Sequence, residues 1–194
     1  MSGKIKIYLG TCGILVILIA TICILFVLHG NVFRKPYPSW GKELCWILGK
    51  PESAYNFGVV EEGRLFRSGL PDDRFIHFLK KNYKINQMIS LCGKCLPNDE
   101  TAKELGIELH TFGWSPSAAP DSKDIGRVFS LMRDTNHIVL VFCGAGSDRT
   151  GYAVARYRIL QQNWPLGKAL TEMGKFWHKR NVLDELLEKE FSQK

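Results

Sequence analysis

Residues 138–151 read Ile138-Val139-Leu140-Val141-Phe142-Cys143-Gly144-Ala145-Gly146-Ser147-Asp148-Arg149-Thr150-Gly151. The first five are apolar and mostly β-branched, which predicts one short buried strand. A loop with two glycines follows, and the residues from Gly151 onward favour a helix. A strand that leads through such a loop to a helix N-terminus is typical of phosphate sites. Backbone N–H groups converge there on the anion, and the helix end adds partial positive charge.

Two side chains make this predicted loop chemically reactive. Cys143 ends the strand, and Arg149 follows after five intervening residues. Amide dipoles, a helix N-terminus and a guanidinium all favour the thiolate, which is the nucleophilic form of cysteine. The fork of Arg149 can hold two phosphoryl oxygens at once, and Thr150 can donate its hydroxyl to the thiolate. We therefore expect Cys143 and Arg149 to be catalytic in a phosphate-binding loop of Gly144, Ala145, Gly146, Ser147, Asp148, Arg149 and Thr150.

The spacing of these residues resembles that of a known family. Cysteine-dependent protein tyrosine and dual-specificity phosphatases have a signature that is similar to Cys143-x-x-Gly146-x-x-Arg149-Thr150-Gly151. Residues 63–71, with Arg67 and Ser68, resemble a segment of the bacterial and fungal atypical dual-specificity phosphatases. The resemblance covers roughly residues 40–177. It implies hydrolysis of phosphate monoesters through a cysteinyl-phosphate, on phosphorylated proteins or phosphoinositides, without metal or cofactor.

One departure from the family pattern leaves alternatives open. Phe142 stands where the family usually has a histidine that tunes the thiol and the loop. A phosphate-binding module without turnover is therefore one alternative. Another is a thiol–disulfide protein, since Cys92 and Cys95 form a C-x-x-C directly after a predicted strand. These two cysteines are otherwise ordinary structural residues, or one of them protects Cys143 by forming a disulfide.

The general acid is harder to assign than the nucleophile. A phosphoester leaving group departs more easily when it is protonated, and the family normally supplies an aspartate from a mobile loop. In the corresponding residues 113–121 the nearest candidate is Asp121, which the sequence favours as a helix cap. Asp148 is the preferred acid, because an aspartate beside the arginine resembles the loop of myotubularin-type and some bacterial lipid-active phosphatases. A loop-shaping ion pair is the equal alternative for Asp148.

The pattern of strands and helices predicts an α/β fold of the tyrosine phosphatase type. Short apolar strands are predicted at residues 58–60, 65–66, 88–91, 107–110 and 138–142, mostly alternating with helices. Such alternation indicates a mostly parallel central sheet with helices on both faces. Ligands bind such sheets at the carboxyl ends of strands, where Cys143 falls. Arg67 is a further candidate at a strand end, or a salt bridge that braces the sheet.

The N-terminal region differs from the rest of the chain. No residue from Ile7 to Leu28 is charged. This uncharged segment is long enough to cross a bilayer, since a transmembrane helix needs about 20 residues. This predicts a membrane anchor at residues 1–30, a linker and docking segment at 31–51 and a phosphatase domain at 52–194. The sequence therefore predicts a single-pass membrane protein whose phosphatase domain lies outside the cytosol, in the periplasm.

Composition and charge limit the function classes. The 194 residues carry a net charge of +7, with 26 Lys and Arg against 19 Asp and Glu. A basic surface favours anionic substrates or anionic lipid. Basic and aromatic residues do not interleave in a stripe, so a nucleic-acid partner is not expected. No metal site is expected, because His110, His137 and His178 lack partners at ligand spacing and are interpreted as surface or capping residues.

Overall fold

The computed structural model describes Thr21 and residues 39–192, apart from residues 94 and 96–98. The chain divides into two compact units, Met1–Arg34 and Lys35–Lys194. In the first unit only Thr21 is described, and it is helical. The second unit contains the strands and helices that follow.

In chain order the described helices and strands alternate for much of the second unit. They are α1 (Ser39–Ile47), α2 (Pro51–Ala54), β1 (Gly58–Glu61), β2 (Leu65–Ser68), α3 (Asp73–Tyr83), β3 (Gln87–Ser90), α4 (Glu100–Glu104), β4 (Glu108–Thr111), α5 (Ser122–Arg133), β5 (Val139–Phe142), α6 (Asp148–Gln162), α7 (Leu166–Lys175) and α8 (Val182–Phe191).

The five strands form one sheet in the order β1-β2-β5-β3-β4. β1 pairs antiparallel with β2, and the other three pairings are parallel. All residues of β2, β5 and β3 are buried, as expected for the central strands of a sheet covered on both faces. The predicted α/β fold with a mostly parallel sheet is confirmed.

The register brings the ends of the three central strands to one edge of the sheet. Phe142 at the end of β5 lies opposite Ser68 of β2 and opposite Ser90 of β3. The chain therefore leaves all three strands at the same level. The residues that follow, 69–70, 91–93 and 143–147, meet at the carboxyl edge, where parallel sheets bind ligands.

The segment before the sheet is helical where the sequence indicated a linker. α1 occupies residues 39–47 of the segment 31–51, directly after two prolines. A proline disfavours helix at and before its own position, so it does not oppose a helix that begins after it. Trp46 of α1 packs edge-on against Phe78 of α3, with ring centroids 5.6 Å apart. The guanidinium of Arg74 lies 4.0 Å from the centroid of the same indole. Trp46 thus packs against α3, whereas Trp40 is 54% exposed.

The predicted membrane localisation is corrected by the structure. Within the residues that it describes, no helix is long and apolar enough to cross a membrane. The longest of these helices, α6, has 15 residues, fewer than the about 20 that a span requires. Residues 7–28, on which the prediction rested, lie outside the described residues except for Thr21. A single-pass membrane protein with a periplasmic domain is not supported.

Candidate active site

The loop between β5 and α6 contains the predicted reactive residues. Cys143 directly follows β5, has a free thiol and is buried. α6 begins at Asp148, and its first backbone hydrogen bond runs from the N–H of Gly151 to the carbonyl of Ser147 at 2.7 Å. Residues 144–147 therefore connect the end of a buried strand to a helix N-terminus, which is the geometry that the sequence predicted.

Three successive carbonyl oxygens of this loop accept hydrogen bonds from donors outside it. The pairs are Leu70 N–H to Gly144 at 3.1 Å, Asn56 Nδ2 to Ala145 at 3.1 Å and Arg67 Nη2 to Gly146 at 2.6 Å. In a planar trans peptide the next residue's N–H points away from the carbonyl. The N–H groups of residues 145–147 are therefore directed to the opposite side, and converging N–H groups are what an anion-binding loop requires.

Gly146 allows the loop to pass close to the end of β2. Its φ is +71°, in the region that glycine adopts without cost. A Cβ at this position would lie 2.5 Å from the backbone nitrogen of Gly69 and 2.6 Å from the carbonyl carbon of Ser68. Both the conformation and the space therefore require glycine, which gives a physical reason for this position in the motif.

Arg67 supports the loop from the neighbouring strand. It is 1% exposed, and its guanidinium also lies over the ring of Phe176, with Cζ 3.7 Å from the centroid. Burial lowers the pKa of Arg67 to about 10, and the nearby Glu172 and Cys143 oppose this shift. Its Nε and Nη1 have no hydrogen-bond partner among the described residues. Arg67 is thus a buried donor to the loop. Among the described residues it forms no salt bridge, which was the alternative that the sequence had offered.

Arg149 lies in the first turn of α6 and faces the loop. Its Nη1 donates to the carbonyl oxygen of Trp114 at 3.1 Å. A Cβ on Gly144 would lie 3.6 Å from Arg149 Nη2, so the guanidinium sits beside the first residue after Cys143. Its Nε is buried without a hydrogen-bond partner in the part of the chain that is described. The guanidinium therefore keeps donors available for a phosphoryl group.

Thr150 differs from its expected role. Its side chain is fully buried, and Oγ1 has no hydrogen-bond partner among the residues that the structure describes. The predicted hydrogen bond from Thr150 to the Cys143 thiol is therefore not formed in this structure.

Asp148 forms a contact that sequence reasoning missed. His178, which the sequence indicated as a surface or capping residue, has a side chain that is only 3% exposed. Its Nδ1 lies 2.7 Å from Asp148 Oδ1, and its Nε2 lies 2.6 Å from Asp184 Oδ2. The three side chains come from α6, the segment after α7, and α8. Their separation along the sequence, 30 residues between Asp148 and His178, gave no local signal of this cluster.

Comparison with known proteins now identifies the family. A family model described as "Tyrosine phosphatase family" matches residues 53–194. The chain belongs to this family. The Arabidopsis thaliana protein named inositol diphosphatase DSP4 is 34% identical over 128 residues, which are 62% of this chain and 63% of DSP4. Inositol diphosphatase DSP3 of the same plant is 32% identical over 148 residues, 70% of each chain.

A solved structure agrees with this fold. The core catalytic domain of the PP-IP phosphatase SIW14 from S. cerevisiae, in complex with citrate, superposes with a TM-score of 0.63 at 24% identity. The match covers 69% of this chain and 84% of that one. The chain spans 63% of the length of DSP4, so its relatives extend beyond the matched region.

The other acid candidate of this tyrosine phosphatase family member has a structural role. Asp121 is exposed and is the N-cap of α5, where its side chain accepts a hydrogen bond from the N–H of Lys123 at 2.8 Å. Among the described residues, no group of three His, Cys, Asp or Glu side chains could hold a metal ion. His110 and His137 instead pair with the carboxylates of Glu108 and Asp134.

The C-x-x-C cysteines form a disulfide with each other. Cys92 and Cys95 follow β3 and have their Cα atoms 5.8 Å apart. Cys45 and Cys143 are the cysteines in the described part of the chain that lie outside this disulfide, and both are buried. In this structure the pair therefore does not protect Cys143 by bonding to it. Cys92 pairs across to Gly113, next to the tryptophan whose carbonyl holds Arg149.

Proposed function

We propose that this chain is a phosphatase that cleaves phosphoryl groups from phosphorylated inositols through a phosphocysteine at Cys143. The observation that carries the proposal is the outward direction of three successive loop carbonyls, described above. It supports a ring of N–H donors beside a free thiol at a strand end. Family membership agrees with this chemistry, whereas a buried structural cysteine would not need the flanking loop to be held from three sides.

In the first step the thiolate of Cys143 attacks phosphorus, and the bond from phosphorus to the leaving oxygen breaks. The N–H groups of residues 145–147 and the fork of Arg149 take up the charge on the equatorial oxygens, which is electrostatic stabilisation by preorganised donors. Asp148 gives its proton to the leaving oxygen. Its side chain is 34% exposed and is therefore open to a bound ester.

In the second step water cleaves the phosphocysteine. The carboxylate left on Asp148 takes a proton from the water as its oxygen attacks phosphorus, and the thiolate of Cys143 leaves. Phosphate is released, and Asp148 is again protonated. The cycle needs no oxidant, reductant or further co-reactant.

Phosphorylated inositols are the proposed substrates for two reasons, the positive net charge of this chain and the names of its relatives. They are polyanions, and the net charge of +7 favours their approach. The curated relatives DSP4 and DSP3 are named inositol diphosphatases. Membrane phosphoinositides and free inositol phosphates share the same phosphoryl chemistry, and phosphotyrosine peptides are the alternative that the family name suggests.

The test is phosphate release from a diphosphoinositol polyphosphate, a phosphoinositide in micelles and a phosphotyrosine peptide. Cys143→Ser should abolish release, and Cys45→Ser, which changes the other buried cysteine that is described outside the disulfide, should not. Acid quenching with labelled substrate should trap labelled phosphate on the wild-type protein but not on the Cys143→Ser variant. Release that survives Cys143→Ser would overturn the proposal.

Two other outcomes identify the alternatives. Tight binding of these substrates to the wild-type protein without any phosphate release would identify a phosphate-binding module that lacks turnover. Reduction of insulin disulfides that is lost in Cys92→Ser would instead identify a thiol–disulfide protein. A preference for the phosphotyrosine peptide over both inositol compounds would keep the mechanism and replace the substrate class.

A further inference from the structure

His178 lies between two carboxylates, one at the proposed site and one buried. Its Nδ1 contacts Asp148 at 2.7 Å and its Nε2 contacts Asp184 at 2.6 Å. The side chains of His178 and Asp184 are 3% and 8% exposed, whereas that of Asp148 is 34% exposed. The cluster is therefore closed to solvent at one end and open at the end that faces the loop.

Asp184 is fixed by the start of α8. Its Oδ2 accepts the backbone N–H of Asn181 at 2.9 Å, and the Asn181 side chain caps the same helix in return. This reciprocal capping box holds the carboxylate of Asp184 at the N-terminus of α8. Because Asp184 also contacts Nε2, it sets the orientation of the imidazole ring and directs Nδ1 at Asp148.

The number of protons in this cluster is constrained by its geometry. A neutral imidazole carries one N–H and can donate to only one of the two carboxylates. Asp184 Oδ2 already accepts the N–H of Asn181, and we therefore take it as the acceptor of Nε2–H as well. Then either the imidazolium donates to both carboxylates, or Asp148 itself is protonated and donates to Nδ1. In both cases one proton is shared between Asp148 and His178, while Nε2–H remains with Asp184.

We propose that His178, oriented by Asp184, is a positioning residue for Asp148 and stores the proton that Asp148 delivers. The inference rests on the proposed function, in which Asp148 is the general acid. As the leaving oxygen departs, the shared proton passes from Nδ1 through Asp148 to that oxygen, so that Asp148 is left as a carboxylate and His178 is neutral with its Nε2–H donated to Asp184. When water attacks the phosphocysteine, Asp148 takes a proton and returns one to Nδ1.

The experiment compares two substrates that differ in their need for an acid. An alkyl phosphate has a poor leaving group, whereas p-nitrophenyl phosphate departs without protonation. Asp148→Asn should lower kcat on the alkyl phosphate by about 10²- to 10⁴-fold, with a much smaller effect on the aryl phosphate. His178→Ala should lower kcat on the alkyl phosphate by about tenfold or more, again with a much smaller effect on the aryl phosphate. In the Asp148→Asn background it should add nothing.

Conservative variants separate positioning from folding. The amide nitrogen of His178→Asn lies near the place of Nδ1 and should restore part of the alkyl-phosphate rate, whereas His178→Gln, which reaches toward Asp184, should not. Asp184→Asn keeps an oxygen for the N–H of Asn181 and should show the same leaving-group selectivity if His178→Ala does not fold. His110→Asn, which changes a histidine on β4, is the matched control and should change neither rate.

The outcomes distinguish this inference from the proposed function. If Asp148→Asn slows both substrates equally, Asp148 is not the acid and the inference falls with that assignment. If Asp148→Asn is selective but His178→Ala and Asp184→Asn slow both substrates equally, the inference is overturned while the acid assignment stands. Additive losses in the double variant would also overturn it, since residues that act through one another do not add.

Discussion

Arg67 donates a 2.6 Å hydrogen bond from Nη2 to the carbonyl oxygen of Gly146, across the carboxyl edge of the sheet. The donor belongs to β2, and the acceptor belongs to the loop after β5, the strand that pairs with β2. The relationship couples the shape of the phosphate loop to a neighbouring strand. Loop geometry and core stability are therefore expected to respond together when this bond is changed.

Arg67→Met tests that coupling. The substitution retains an apolar stem but removes the donor, so the Gly146 carbonyl loses its partner. A lost hydrogen bond to a charged group costs about 1.5–3 kcal/mol. Removal of a desolvated charge, whose pKa is lowered to about 10 in the native protein, offsets part of this cost. We expect a lower Tm by calorimetry and a lower kcat, while Arg133→Met on the exposed end of α5 should change neither.

Gly146→Ala should damage the loop more than any helix glycine. The strained φ alone costs about 1–3 kcal/mol, and the added Cβ would lie 2.5 Å from the Gly69 nitrogen. We expect activity to be lost and Tm to fall. Gly126→Ala is the control, because a Cβ at this exposed α5 position meets nothing within 4 Å. It should stabilise the protein by about 0.5–1 kcal/mol; equal effects of the two substitutions would contradict the geometry.

Arg149→Met should affect turnover far more than folding. Its guanidinium is proposed to hold the phosphoryl oxygens, and loss of such a donor lowers kcat by about 10²- to 10³-fold. Loss of the hydrogen bond from Nη1 to the Trp114 carbonyl should lower Tm, but removal of the buried Nε, which has no partner among the described residues, offsets part of this cost. Steady-state kinetics and calorimetry on the same preparation measure both. A matched substitution, Arg127→Met on the exposed face of α5, should leave kcat unchanged.

Glu61 makes stability depend on acidity. The hydrogen bonds from Arg64 lower its pKa from 4.5 to about 2 against the effect of burial, and a hydrogen bond from Tyr157 adds to the shift. When folding lowers the pKa of a carboxyl, the ionised carboxyl stabilises the folded protein. This stabilisation is complete at pH values above the pKa of the unfolded state, and it is lost as pH falls toward 2. Glu61→Gln should therefore lower Tm at pH 6, and the difference from wild type should shrink toward pH 2.

The control for this titration is Glu43→Gln, which changes an exposed partner of Arg74. Surface pairs of this kind contribute about 0–1 kcal/mol. A Tm difference for Glu61→Gln that stays constant between pH 6 and pH 2 would contradict the assignment of this acid sensitivity to Glu61.

The disulfide predicts the alkylation pattern of the cysteines. When the protein is denatured without reductant and treated with iodoacetamide, the peptide with Cys92 and Cys95 should remain unmodified, whereas Cys45 and Cys143 should be alkylated. After reduction, Cys92 and Cys95 should carry the label as well. Mass spectrometry of the digest measures this directly. Alkylation of Cys92 before reduction would show that the bond is not formed in solution.

The sequence predicted the parts of the fold that depend on local pattern. The buried strand before Cys143, the loop glycines, the hairpin of β1 and β2 and the cap at Asp121 all follow from neighbouring residues. It did not predict α1, because packing of Trp46 against Phe78 is a tertiary contact that the local pattern does not show. The pairing of the C-x-x-C cysteines was left open, since composition does not fix connectivity.

The contacts of His178 could not be predicted for a different reason. A histidine in a segment without periodicity is indistinguishable from a surface residue until the chain folds. Its two carboxylate partners come from helices that only the tertiary structure brings together. The contacts of Arg67 and Asn56 with the loop could not be predicted for the same reason. These residues are separated in sequence from their carbonyl acceptors by 79 and 89 positions.

The three anchored carbonyls also bear on inhibition. Because Leu70, Asn56 and Arg67 hold the loop through hydrogen bonds that involve protein groups alone, the proposed arrangement of its amides for a tetrahedral oxyanion does not depend on the ester. Such a cradle makes no distinction between an esterified phosphoryl group and free orthophosphate. Accumulating product should therefore compete with substrate, and the rate of this protein in a cell should fall as the local phosphate concentration rises.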